Sequence, residues 1–104
     1  MKKINIAGKV SGLPIHKVTF KFGKAQRQLE KLSYDAVNPL EVVNDWNATW
    51  QEAMSKCVNA LVECDALFLL PDYEDSKGAQ YELECAKELN LDIYYDINKV
   101  PENK

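Results

Sequence analysis

The chain has 104 residues, 46% hydrophobic and 28% charged, with only four Gly and four Pro, a balance that fits one globular domain and excludes a disordered or fibrous chain. Its net charge is -3 and its pI is about 5.1, which argues against a nucleic-acid polymer as partner, because phosphate backbones demand a basic face. The stretch from Lys2 to Lys31 is locally basic, enough for one small phosphate.

In chain order, Ile4 to Ala7 reads as a short buried strand closed by Gly8, followed by a loop through Pro14. Val18, Phe22, Ala25, Leu29 and Leu32 then form one apolar stripe at helical spacing. Lys17, Lys21, Lys24, Arg27 and Lys31 fall off that stripe and are expected to face water. Tyr34 to Val37 is a weak second strand, ended by Asn38-Pro39. Residues 39 to 48, with Trp46, are expected to be a loop. Thr49 and Glu52 make a capping box. It opens a helix whose stripe is Trp50, Met54, Cys57, Leu61 and Cys64.

Ala66 to Leu70 is a continuous apolar run, as expected for a strand buried on both faces in a parallel sheet. Pro71 to Asp75 is an acidic loop, and Ser76 or Asp75 caps a further helix running to about Leu89. Leu91 to Tyr95 is a last strand. The alternation of strands and helices implies right-handed crossovers. The expected architecture is α/β: a three-layer αβα fold of the Rossmann-like or flavodoxin-like kind, with about four parallel strands. Residues 1 to 97 form the domain, and 98 to 104 a loose tail.

Cys57, Cys64 and Cys85 contain no CxxC pair and there is one His, so the cysteines are expected as reduced, buried thiols rather than a disulfide framework or a zinc site. No stretch approaches a membrane span. Met1-Lys2-Lys3 leads into a strand rather than a secretory apolar region, and the cytoplasm is the expected compartment.

Ligands of open α/β sheets bind beyond the carboxyl ends of the strands, where the strand order reverses. Two loops fit that place: Gly8 to Gly12 after the first strand, and Pro71 to Ser76 after the third. Each feeds a helix N-terminus, which favours anions. Lys9 and Ser11 could hold a phosphate there, although the order of residues is not that of a P-loop. On the last helix, Ala79, Leu83, Ala86 and Leu89 share one face at roughly 100° per residue, and Glu82 falls inside that arc. Glu84 and Glu88 point to the wet side. A carboxylate on a buried face is either functional or satisfied by a backbone N–H or a Lys. Gly78, a poor helix residue, points to a close approach by a ligand or by the facing strand. His16 is expected to be solvated. Tyr73, Trp46 and Trp50 could stack on a base or serve as core or interface contacts.

The segments Asn5 to Pro14, Glu63 to Pro71 and Asp75 to Ala86 together resemble the nucleoside 2-deoxyribosyltransferase-like superfamily, and within it the short branch of the DUF4406 type. The pattern of a Gly, three residues, a Glu followed by an apolar residue, and an Ala three positions later is matched by Gly78, Glu82, Leu83 and Ala86. The resemblance implies that Glu82 is a nucleophile at the anomeric carbon of a nucleoside or nucleoside 5'-monophosphate. It implies Ser76 on the phosphate, and Asp75 where some members use an Asp. Active members carry a Tyr on the first strand, at a position where this chain has Asn5. The acid that protonates the leaving base then falls to Asp72, Glu74 or Asp75. Asn5, Gly8, Lys9, Ser11, Gly12, Ser76 and Gly78 are the expected substrate-binding residues, with neither metal nor cofactor required. A nucleotide-binding module without turnover and a purely structural protein are the alternatives. A homo-oligomer is expected, with Tyr81, Trp46 and Trp50 as interface candidates.

Overall fold

A computed structural model describes residues 1–103. The elements are β1 (Lys3–Ala7), α1 (Ile15–Lys31), β2 (Asp35–Val37), α2 (Pro39–Val43), α3 (Trp50–Val62), β3 (Ala66–Leu69), α4 (Lys77–Glu88) and β4 (Asp92–Tyr94). Single turns of 3-10 helix lie at Tyr73–Asp75 and Ile97–Lys99. All strand pairs are parallel, in the order β2-β1-β3-β4. The chain steps outward from β1 to β2, then crosses to the other side of β1 for β3. The order therefore reverses between β1 and β3, as in a doubly wound, flavodoxin-like sheet.

Side-chain alternation along the strands splits the core into two layers. Ile4, Ile6, Ala66, Phe68 and Leu70 pack with Val18, Phe22, Ala25 and Leu29 of α1. Ala7, Leu67 and Leu69 pack on the opposite face with Leu61 of α3 and Ala79, Leu83 and Ala86 of α4. Asn5 shares this second face by alternation. It pairs in register with Leu67 on one side and Val37 on the other. The expected three-layer α/β architecture with four parallel strands is the one observed, and no helix of the described residues is long and apolar enough to cross a membrane.

Four local expectations are corrected. Residues 39–43 are helical rather than a loop: Asn38 accepts from the Leu40 N–H, Pro39 takes the first turn, and Asn44 ends the helix in the left-handed region at φ 43°. Leu89 lies off the buried face of α4, 41% exposed, because the helix ends at Glu88 and Leu89 is its C-cap. Lys21 is half-buried instead of facing water. The segment after residue 97 is fastened rather than loose. Val100 is buried in the α1-side core, the Tyr34 hydroxyl donates to the Pro101 carbonyl at 2.8 Å, and Asn103 bonds to Leu32 and Ser33. Asn103 also lines a groove with Met1, Lys2, Ser33 and Asp65 at the amino ends of the strands. Lys104 lies outside the described residues.

Candidate functional site

Ser76 sets the start of α4. Its side-chain oxygen accepts from the Ala79 N–H at 3.1 Å, the N-cap bond that satisfies an otherwise orphaned donor. From that start, the helical period carries Ala79, Glu82, Leu83 and Ala86 to the sheet. Glu82 is 5% exposed and Asn5, beneath it on β1, is 2% exposed. The Asn5 side-chain amide donates to Glu82 Oε2 at 2.8 Å. The partner of this carboxylate is thus an amide, neither a Lys nor a backbone N–H. Oε1 accepts no hydrogen bond within the described residues, and no buried side-chain oxygen there lacks a partner. Oε1 therefore keeps contact with solvent while Oε2 is held.

Burial pushes the Glu82 carboxyl up to about 7, and the Asn5 hydrogen bond counteracts this only in part. Cys57 of α3 lies near enough that, after burial, Glu82 is the second cause pushing its thiol up to about 12. That thiol is inert as a nucleophile at neutral pH. Cys57 and Cys64 are buried and Cys85 is half-buried, all as free thiols.

The two loops at the reversal point are latched together. At Gly8 a Cβ would stand 2.7 Å from Leu70 Cδ1 and 2.9 Å from Leu70 Cβ, so only glycine lets the first loop leave β1 along this path. The Leu70 N–H donates to the Ala7 carbonyl at 2.8 Å. Beyond that contact, the Lys9 N–H donates to Asp72 Oδ1 at 3.1 Å, and Lys21 Nζ reaches Asp72 Oδ2 at 2.6 Å and the Lys9 carbonyl at 2.5 Å. Burial raises the Asp72 pKa, but the hydrogen bonds from Lys21 and Lys9 and the Lys21 charge outweigh it and hold the carboxyl below its ordinary value. An ionised carboxylate with both oxygens engaged is poorly suited to donate a proton, which argues against Asp72 as the acid.

The remaining candidates lie around this latch. Lys9 is half-buried, while Ser11 and Gly12 are exposed. Gly12 takes φ +83°, a left-handed conformation that disfavours other residues. Asp75 and Glu74 are exposed on the 3-10 turn. Ser76 keeps its hydroxyl hydrogen for a ligand, because its oxygen acts as acceptor in the cap. The close neighbour of Gly78 within the protein is not a strand. It is Met54 of α3, whose Sδ lies 3.0 Å from where a Cβ would be. Trp50 lies over Lys77, with Nζ 4.9 Å from the ring centroid. Tyr73 stacks obliquely on Tyr95 with centroids 5.6 Å apart. His16 is exposed.

The structure therefore brings Asn5 and Glu82 to one place, and Lys9 and Asp72 to another. The sequence reading missed Lys21. The available signal was position: Lys21 follows Val18 by three residues, roughly 60° around the helix, on the flank of the apolar stripe. Its alkyl stem can follow the core while the ammonium emerges at the loops.

No curated protein matches the sequence. A family model described as "Domain of unknown function (DUF4406)" matches residues 2–95, from before β1 to just beyond β4, and spans both switch-point loops, Asn5 and Glu82. With that match over nearly all of the fold, the chain belongs to the DUF4406 family.

Proposed function

We propose that this protein cleaves the N-glycosidic bond of a nucleoside or nucleoside 5'-monophosphate, or transfers its deoxyribosyl group, with Glu82 as nucleophile. One observation carries this reading: a buried carboxylate at the strand reversal, with one oxygen held by Asn5 and the other reached by solvent. Departure of the base builds oxocarbenium character at the anomeric carbon. Glu82 Oε1 bonds to that carbon as the C–N bond breaks, and the electron pair leaves with the base, which takes up a proton. Water or a second base then attacks the same carbon and releases the carboxylate. In this reading Gly8, Lys9, Ser11, Gly12, Ser76 and Gly78 line the sugar and phosphate end. The proton falls to Glu74 or Asp75, since both oxygens of Asp72 are engaged by Lys21 and the Lys9 N–H.

The test is base release or exchange from a panel of deoxynucleosides and their 5'-monophosphates, with and without an acceptor base. Activity that disappears in Glu82→Gln and weakens in Glu74→Gln or Asp75→Asn supports the proposal. Because only ionised Glu82 is nucleophilic, kcat/KM should rise with pH through about 7.

A second reading is a nucleotide-binding module without turnover. The observation favouring it is chemical: Asn5 stands where the resemblance expects a phenol, and Asp72 is already paired. No base release from folded protein across the panel, with a nucleotide raising its melting temperature, would select this reading.

We further propose self-association. Trp46, Trp50 and Tyr81 are 57%, 42% and 51% exposed, and large aromatics left in water favour a covered interface. Sedimentation showing a monomer at high protein concentration would reject it.

A further inference from the structure

The Lys21–Asp72–Lys9 latch has the composition of an oxyanion site already filled from within. Two donors, a backbone N–H and an ammonium, converge on two oxygens of one anion at 3.1 and 2.6 Å. They do so between the two loops that meet where strand order reverses, the place at which ligands enter such sheets. Lys9 adds a second ammonium on the same loop and forms no ion pair among the described residues. Lys21 and Asp72 are only partly buried, 23% and 29% exposed, so a ligand can reach them.

We propose that Asp72 is a built-in competitor for an oxyanion, and that a phosphate monoester displaces it from the Lys9 N–H and the Lys21 ammonium. A phosphate monoester carries close to two charges at neutral pH and three strong acceptor oxygens, against one charge and two oxygens for Asp72. Displacement frees the Pro71–Asp75 loop from the first loop, with Leu70 staying anchored to Ala7, and opens the crevice beside Asn5 and Glu82. The latch thereby couples phosphate binding to access and discriminates phosphorylated ligands from unphosphorylated ones. This inference rests on reading the two loops as a ligand crevice, and it does not require catalysis.

The experiment uses isotopically labelled full chain, titrated with inorganic phosphate, a deoxynucleoside 5'-monophosphate and the matching nucleoside. The Lys9 amide resonance is followed and affinity is measured for the wild type, Asp72→Asn, and Asp72→Asn combined with Lys21→Met. The Lys9 amide is expected to move with phosphate and with the monophosphate but not with the nucleoside. Asp72→Asn should bind phosphate at least tenfold more tightly, and the added Lys21→Met should abolish that gain. If Asp72→Asn does not fold, Asp72→Ser takes its place. A folded Asp72 variant with no gain, a gain that survives loss of Lys21, or a Lys9 amide indifferent to phosphate would each overturn the inference. Failure here alongside base release from unphosphorylated nucleosides would leave the glycosidic reading standing. Phosphate binding with no base release would do the reverse.

Discussion

At Glu82 the carboxyl is raised from 4.5 to about 7 by burial, and this has a consequence for stability. The folded form binds the proton more tightly than the unfolded chain. The resulting contribution is fully present below about pH 4.5 and is lost as pH rises through about 7, at a cost on the order of 3 kcal/mol. Glu82→Gln keeps an oxygen to accept from Asn5 and carries no charge. Its stability relative to wild type should therefore increase between about pH 5 and about pH 8, as read by urea unfolding. A difference that stays flat with pH would contradict the buried placement of this group. Gly8 gives the opposite kind of test. In Gly8→Ala the new carbon would overlap Leu70, with an expected cost of about 1–3 kcal/mol for overpacking. The position of Glu82 was legible from helical spacing, because its neighbours Ala79, Leu83 and Ala86 define the face. The amide that holds it was legible only through the family resemblance, because Asn5 lies 77 positions away and no local pattern links strand to helix.

Among the elements, α3 is the one most completely written in its own residues. Thr49 Oγ1 accepts from the Glu52 N–H at 3.1 Å and Glu52 Oε1 accepts from the Thr49 N–H at 3.3 Å, closing the expected capping box. Thr49→Ala should lower the unfolding free energy by about 1 kcal/mol. In α1, Gly23 sits mid-helix, and a Cβ there would meet only the mobile Arg27 guanidinium at 3.4 Å. Gly23→Ala should stabilise the protein by about 0.5–1 kcal/mol, visible as a raised melting temperature. Periodicity revealed α1, α3 and α4 because each runs for three turns or more. It could not reveal α2, whose five residues are too few to repeat a face. Only its punctuation, Asn38-Pro39 before and Asn44 after, marks it.

Over the whole molecule, strand alternation marked the layers and their order in the chain, whereas the latch arises only when loops separated by 63 positions meet. The last residues show the same limit. Their composition is polar and proline-containing, yet Val100 closes the α1-side core and Asn103 bonds to both Leu32 and Ser33. Ending the chain at Lys99 should destabilise it by roughly 3 kcal/mol, from one buried Val and about two hydrogen bonds, measurable by denaturant unfolding. This tail also brings Asn103 into one groove with Met1 and Lys2, at the amino ends of the strands, opposite the latch. A fluorophore or surface anchor attached beyond Asn103 would report on, or immobilise, the protein from the side remote from Glu82.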